Sequence, residues 1–166
     1  MKFSVWFTPF ILLTGGCASG PDQNPPLWAG IVERKIDALG IQNCIIVAES
    51  SFPVVSGLGV RTLVLDGEIP QIVDCIVNHL KKSETVAPSF NTALELSFVS
   101  NDRGPSIDYL KEQHNEAQHG HQVRQIDNRS LTLLAHIDAS KYAILVLKSK
   151  TALPYNSVFI ELDSGY

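Results

Sequence analysis

Three histidines crowd one short stretch, Gln113-His114-Asn115-Glu116-Ala117-Gln118-His119-Gly120-His121. Neutral imidazole is a good ligand for zinc and copper, and Glu116 would add a fourth donor. The spacing argues against a ready-made centre, because ligands on one helix face recur at i and i+4 while His114 and His119 stand five apart. The plainer reading is a helix that stops at Gly120 with its histidines in solvent. Metal binding by His114, His119 and His121 stays open as the alternative. Cys44 and Cys75 form a second candidate. In an exported protein an even pair reads as a disulfide, here closing a loop of about thirty residues and contributing roughly 3 kcal/mol in the chain-entropy model. Two separate buried thiols would serve equally as small hydrophobes. His136 beside Asp138 could form a dyad, though a strand histidine facing water explains it more simply. Hydrolytic motifs are missing: there is no Gly-x-Ser-x-Gly, His-Glu-x-x-His or P-loop. No catalytic residue and no cofactor are expected.

The compartment implied by a disulfide comes from the first seventeen residues. Lys2 supplies a positive start, Phe3 to Leu13 an apolar run interrupted by Pro9, and Thr14-Gly15-Gly16 small residues before Cys17. A membrane span needs about 20 apolar residues, so this segment is too short for one. Leu13-Thr14-Gly15-Gly16-Cys17 resembles the lipobox of bacterial lipoproteins, with Thr14 where that family usually carries Leu. The resemblance implies a signal peptide over 1–16, lipidation (palmitate included) at Cys17, and an anchor in the cell envelope. Ala18-Ser19 after the cysteine fits the periplasmic side of the outer membrane. Plain secretion with cleavage after Ala18 is the alternative.

Residues 17–26 contain Ala-Ser-Gly-Pro-Asp-Gln-Asn-Pro-Pro after the cysteine and read as a polar tether. Residues 27–166 suit one domain. The formal charge of −4 and the scatter of the 13 basic residues disfavour nucleic acid as a partner.

The elements follow from periodicity. Leu27, Ile31, Val32, Ile36 and Leu39 recur at helical spacing before Gly40, and Ile69, Ile72, Val73, Ile76, Val77 and Leu80 form an apolar stripe over a helix from Pro70 to Lys82. Cys44 to Ala48 and Val60 to Leu65 read as strands, as does Thr92 to Val99 by the alternation of Leu94, Leu96 and Phe98. Pro105 to Gln118 reads as a polar helix. Leu131 to Ile137, Tyr142 to Lys148 and Val158 to Leu162 read as three more strands, with Ala143 to Leu147 central in the sheet. Trp28 is expected to staple the first helix down. The fold class is therefore α+β: a mixed or antiparallel sheet with helices packed on one face and a C-terminal β-meander. The order α-β-β-α-β resembles the ring-building and secretin periplasmic modules of secretion machines, in element order only.

The function expected from these readings is a membrane-anchored envelope lipoprotein, a non-enzymatic protein-binding or assembly module of secretion or pilus type. Its partners would be the membrane, through the lipid, and another envelope protein, met through the polar stretch 101–129. The alternative is a periplasmic metal-binding protein or enzyme using His114, His119 and His121.

Overall fold

The computed structural model describes residues 25–83, 85–101 and 107–164. The leader, the lipidation residue Cys17 and most of the tether lie outside the described residues, as does Pro105. Four helices and six strands follow in the order α1 (Ala29–Asp37), β1 (Cys44–Ala48), β2 (Val60–Val64), α2 (Ile69–Leu80), β3 (Val86–Ala93), α3 (Ile107–Ala117), β4 (Val123–Ile126), α4 (Asn128–Asp138), β5 (Ile144–Lys148) and β6 (Val158–Ser164). A 3-10 turn over Leu94–Phe98 follows β3 directly.

The strands form one mixed sheet in the order β2-β5-β1-β6-β3-β4. β5 runs parallel to both β1 and β2, β4 runs parallel to β3, and β6 is antiparallel to both its neighbours. The α+β class with a mixed sheet is thus as expected, and β5 is internal, as its uninterrupted apolar run demands. The C-terminal meander is corrected. β5 and β6 do not pair with each other but lie on either side of β1, and Leu131 to Ile137 is helix.

Two apolar layers sandwich the sheet. On one face, Val32 and Ile36 of α1, and Ile69, Ile72, Val73, Ile76, Val77 and Leu80 of α2, pack on Ile45, Val47, Leu145, Leu147, Phe90, Val158 and Ile160. The α2 stripe is the one read from the sequence, whereas of the α1 set Leu27 and Ile31 are exposed; each fully buried isoleucine is worth about 1.5–3 kcal/mol relative to exposure. Trp28 caps that layer, donating its indole N–H to the Asp66 carbonyl at 3.1 Å. On the other face Leu131, Ala135 and Ala139 of α4 join Phe52 and Val55 over Ile46, Ala48, Val146 and Phe159. Helices therefore cover both faces rather than one.

Two elements depart from their periodicity for identifiable reasons. α4 exposes Leu133, Leu134 and Ile137, so its composition is apolar all round and imitates a strand. Its start is set instead by Asp127, whose carboxylate accepts the Ser130 N–H at 2.9 Å. The strand expected over Thr92 to Val99 ends at Ala93, and the alternation of Leu94, Leu96 and Phe98 belongs to the 3-10 turn. Ser97 Oγ donates back to the Leu94 carbonyl there at 2.7 Å, a local bond that competes with a ladder.

Candidate cleft at the carboxyl edge of the sheet

Five of the six strands point the same way, so their carboxyl ends share one edge with the start of the reversed β6. In open sheets this edge is where ligands bind, because loops and unpaired backbone groups converge there. Here it gathers buried polar side chains. Glu49 follows β1, Ser149 follows β5, Asn156 and Ser157 precede β6, and Thr92 lies near the end of β3, all buried. α3 adds His114, itself only 4 % exposed.

Several of these groups lack a protein partner. Both amide atoms of Asn156 and Nε2 of His114 are sealed from solvent without a hydrogen bond. Leaving such a group unpaired costs about 1–3 kcal/mol, so a fold keeps it only where something else depends on it. Ser157 Oγ donates to Glu49 Oε2, and among the described residues Glu49 has no ion pair. Burial holds the His114 imidazole down at about 4, against a smaller upward pull from the Asn156 side chain. It is therefore neutral at pH 7, with one N–H and one lone pair.

The loop that delivers Asn156 is tied down on several sides. Ser149 N–H donates to the Ala48 carbonyl at 2.8 Å, Ser50 N–H to Thr151 at 2.7 Å and Lys150 N–H to Gly67 at 3.2 Å. Thr151 Oγ1 donates to Glu68. Tyr155 takes φ +65°, a left-handed conformation uncommon for a side chain of its size, and turns the chain so that Asn156 is fully buried.

His114 forms part of the wall of a cleft of about 220 Å³ between α3 and the β3–β4 edge. Thr92, Ser97, Asn115, Gln118 and Gln125 also face it. Lys111 borders the same cleft, but its Nζ is engaged with the Val99 carbonyl at 2.7 Å. The result is a pocket rich in neutral hydrogen-bonding groups, suited to a small polyhydroxylated molecule.

The three histidines do not converge. His114 points into this cleft, His119 Nε2 lies 2.6 Å from Asp74 on α2, and the His121 ring packs against Phe90 at 5.3 Å between centroids. Among the described residues no group of three metal-ligating side chains comes together. The Cys44–Cys75 disulfide is corrected: both are free thiols, Cys44 packed against the α4 layer and Cys75 against the α1–α2 layer, on opposite faces of the sheet. Burial, then the nearby Glu161 and Asp138, pushes the Cys44 thiol far up; burial, then Glu33 and Asp74, raises Cys75. His136 is exposed on α4 rather than on a strand. Glu49, Asn156, Ser157, Thr92 and Gln118 went unread as site residues. The one local signal was a carboxylate directly after the apolar run Ile45-Ile46-Val47-Ala48.

The fold and this cleft define an α+β protein with a ligand-sized polar recess at the carboxyl edge of a mixed sheet. Solved structures share that shape at low sequence identity. RbsD of Bacillus subtilis, solved with D-ribose, is 15 % identical with a TM-score of 0.55, covering 86 % of this chain and 98 % of that one. FucU of Bifidobacterium longum is 13 % identical with a TM-score of 0.56, covering 81 % and 94 %. The fucose mutarotase of Streptococcus pneumoniae, solved with L-fucose, is 16 % identical with a TM-score of 0.52, covering 78 % and 89 %. Likeness at such identity establishes a shared fold. No protein-family model and no curated protein matches the chain.

That likeness overturns the expected function. The body of the chain has the architecture of RbsD and FucU, not that of a lipoprotein assembly module. The envelope location, lipid anchor and palmitate inferred from the leader fall on the same finding. Among the described residues no helix is long and apolar enough to cross a membrane.

Proposed function

We propose that the chain binds a monosaccharide in the cleft between α3 and the β3–β4 edge and exchanges its anomers. The observation that carries this reading is a cleft of about 220 Å³ lined by neutral hydrogen-bonding side chains, Thr92, Asn115, Gln118 and Gln125, with His114 in its wall. A sugar hydroxyl is both donor and acceptor, so it can pair with the carboxamides of Asn115, Gln118 and Gln125 that line the cleft. The cleft offers no unengaged cation among the described residues that line it, which favours a neutral sugar over a phosphorylated one. RbsD with D-ribose and the fucose mutarotase with L-fucose support the same ligand class.

Anomer exchange is redox-neutral. A base takes the proton of the anomeric hydroxyl, an acid gives one to the ring oxygen, and the bond from the anomeric carbon to the ring oxygen breaks. Rotation of the open aldehyde and reversal of these transfers closes the other anomer. His114 is neutral at pH 7, and Nδ1, the ring nitrogen that is not sealed, can take part in one of these two transfers. The Glu49 carboxylate accepts from Ser157, the residue that follows Asn156.

Titration calorimetry with D-ribose and L-fucose, and NMR saturation transfer between their anomers, test the reading. Binding at millimolar sugar or tighter, with exchange accelerated by the protein and lost in His114→Leu, is expected. No heat and no acceleration with either sugar would overturn it.

A further inference from the structure

We infer that Gln118 decides which hydroxyl pattern the cleft accepts, held in place by the His119–Asp74 pair; the inference rests on the monosaccharide reading above. Gln118 is the first residue after α3, and its N–H still donates to the His114 carbonyl at 3.2 Å. It therefore stands one helical turn from His114 on the same wall. The residue is only 4 % exposed, yet among the described residues its side chain makes no hydrogen bond. Its amide atoms are not sealed like those of Asn156, so they border the open cleft. An amide so placed has two donors and an acceptor to offer and nothing in the protein to receive them.

Such a group reads hydroxyls. A ligand hydroxyl that meets it replaces water with a directed bond, while an analogue lacking that hydroxyl leaves the buried amide unpaired. Sites built this way reject the deoxy analogue more strongly than apolar pockets reject an extra methylene.

Reading requires that the amide not swing away, and the histidine-rich turn supplies that rigidity. The chain reverses through His119 at φ +51° and Gly120 at φ +78°. Gly120 adopts this conformation freely, whereas His119 does so at a steric cost. The 2.6 Å contact of His119 Nε2 with Asp74 Oδ1 holds it there. Two residues beyond His119, His121 packs on Phe90 at 5.3 Å and donates its N–H to the Gln118 carbonyl at 3.0 Å. The turn is thus pinned to α2 on one side and to β3 on the other, with Gln118 at its root. Two of the three histidines act as positioning residues rather than ligands.

The test compares D-ribose with each of its monodeoxy analogues by calorimetry, in the wild type, Gln118→Met, His119→Ala and His119→Gln. Thermal melting of each variant confirms that it is folded. The wild type should prefer D-ribose over one particular analogue by about tenfold or more. Gln118→Met should weaken D-ribose, leave that analogue unchanged and so erase the ratio. His119→Ala should reduce the ratio, and His119→Gln, whose amide nitrogen reaches about as far as Nε2 and can donate to Asp74, should restore it. A folded Gln118→Met that keeps the wild-type ratio overturns the inference while the monosaccharide reading stands. A wild type that binds no monosaccharide overturns both.

Discussion

The two ends of the sheet carry hollows of opposite character. At the amino end of β1, a groove of about 690 Å³ runs between the ends of α1 and α2 and the β3–β6 pair, floored by Ile36, Leu80, Val86 and Leu162. Its charged rim is largely self-satisfied: His79 Nε2 meets Asp37 at 2.7 Å, and Lys82 lies 3.9 Å from Glu33. The cleft at the carboxyl edge has about 220 Å³, a third of that volume, and sits beside the unpartnered Asn156 and His114. Size and chemistry thus point to different places. Apolar lining is what the ends of packed helices leave behind, whereas buried polar atoms without partners cost stability and need a reason. The smaller hollow has that reason.

If this contrast is sound, truncating the floor of the groove damages folding and truncating the wall of the cleft damages binding. Leu80 is 5 % exposed, and Leu80→Ala should cost about 3 kcal/mol of stability, read as a lower urea midpoint, with D-ribose affinity unchanged where the protein is folded. An equal loss of affinity would erase the distinction between the two ends.

Acid should act through the cleft rather than the groove. His114 has a folded pKa of about 4 against 6.5 for the free side chain. The unfolded chain therefore binds more protons between these values. The contribution of keeping His114 neutral is fully present above about pH 6.5 and is lost as pH falls toward 4, by about 3 kcal/mol in all. Melting curves from pH 7.5 to 4 should show this slope in the wild type and a shallower one in His114→Leu. Parallel slopes would remove His114 as its source.

Binding gives a smaller but more specific contrast. His114→Leu should raise the dissociation constant for D-ribose by about tenfold, the loss of one good hydrogen bond. Ile41→Ser, at the exposed rim of the groove, should leave it unchanged. The least effect is expected from oxidation. Cys44 and Cys75 should react slowly with a thiol reagent at pH 8, as their raised proton affinities dictate, and mild oxidant should produce no intramolecular bridge detectable by mass until the chain is unfolded.

Legibility from sequence differed sharply between fold and site. α2, β1 and β5 announce themselves because each buries a regular stripe or an unbroken apolar run. α4 does not, since Leu133, Leu134 and Ile137 remain exposed and blur the spacing of Leu131, Ala135 and Ala139 that marks its buried side. β4 is only four residues long, alternates weakly, and exists by pairing with β3. The site was harder still. His114 was singled out for a metal it does not share, because adjacency in sequence brought in His119 and His121, which face α2 and β3. Asn156 lies two residues after Pro154, in a stretch whose residue types signal only a break between elements.

By itself the sequence determined which segments are helix or strand wherever one side is uniformly apolar, since burial of that side is a local, periodic demand. It also determined the α+β class. Only the tertiary structure decided that β6 runs against the other strands, that α4 covers the second face, and that Cys44 and Cys75 are kept apart by the sheet. It alone brought Glu49, Asn156, Ser157 and His114 to one edge. Long-range strand order sets such meetings, and the side chains that meet there carry no periodic signal, because they are polar groups buried by their neighbours rather than by their own hydrophobicity.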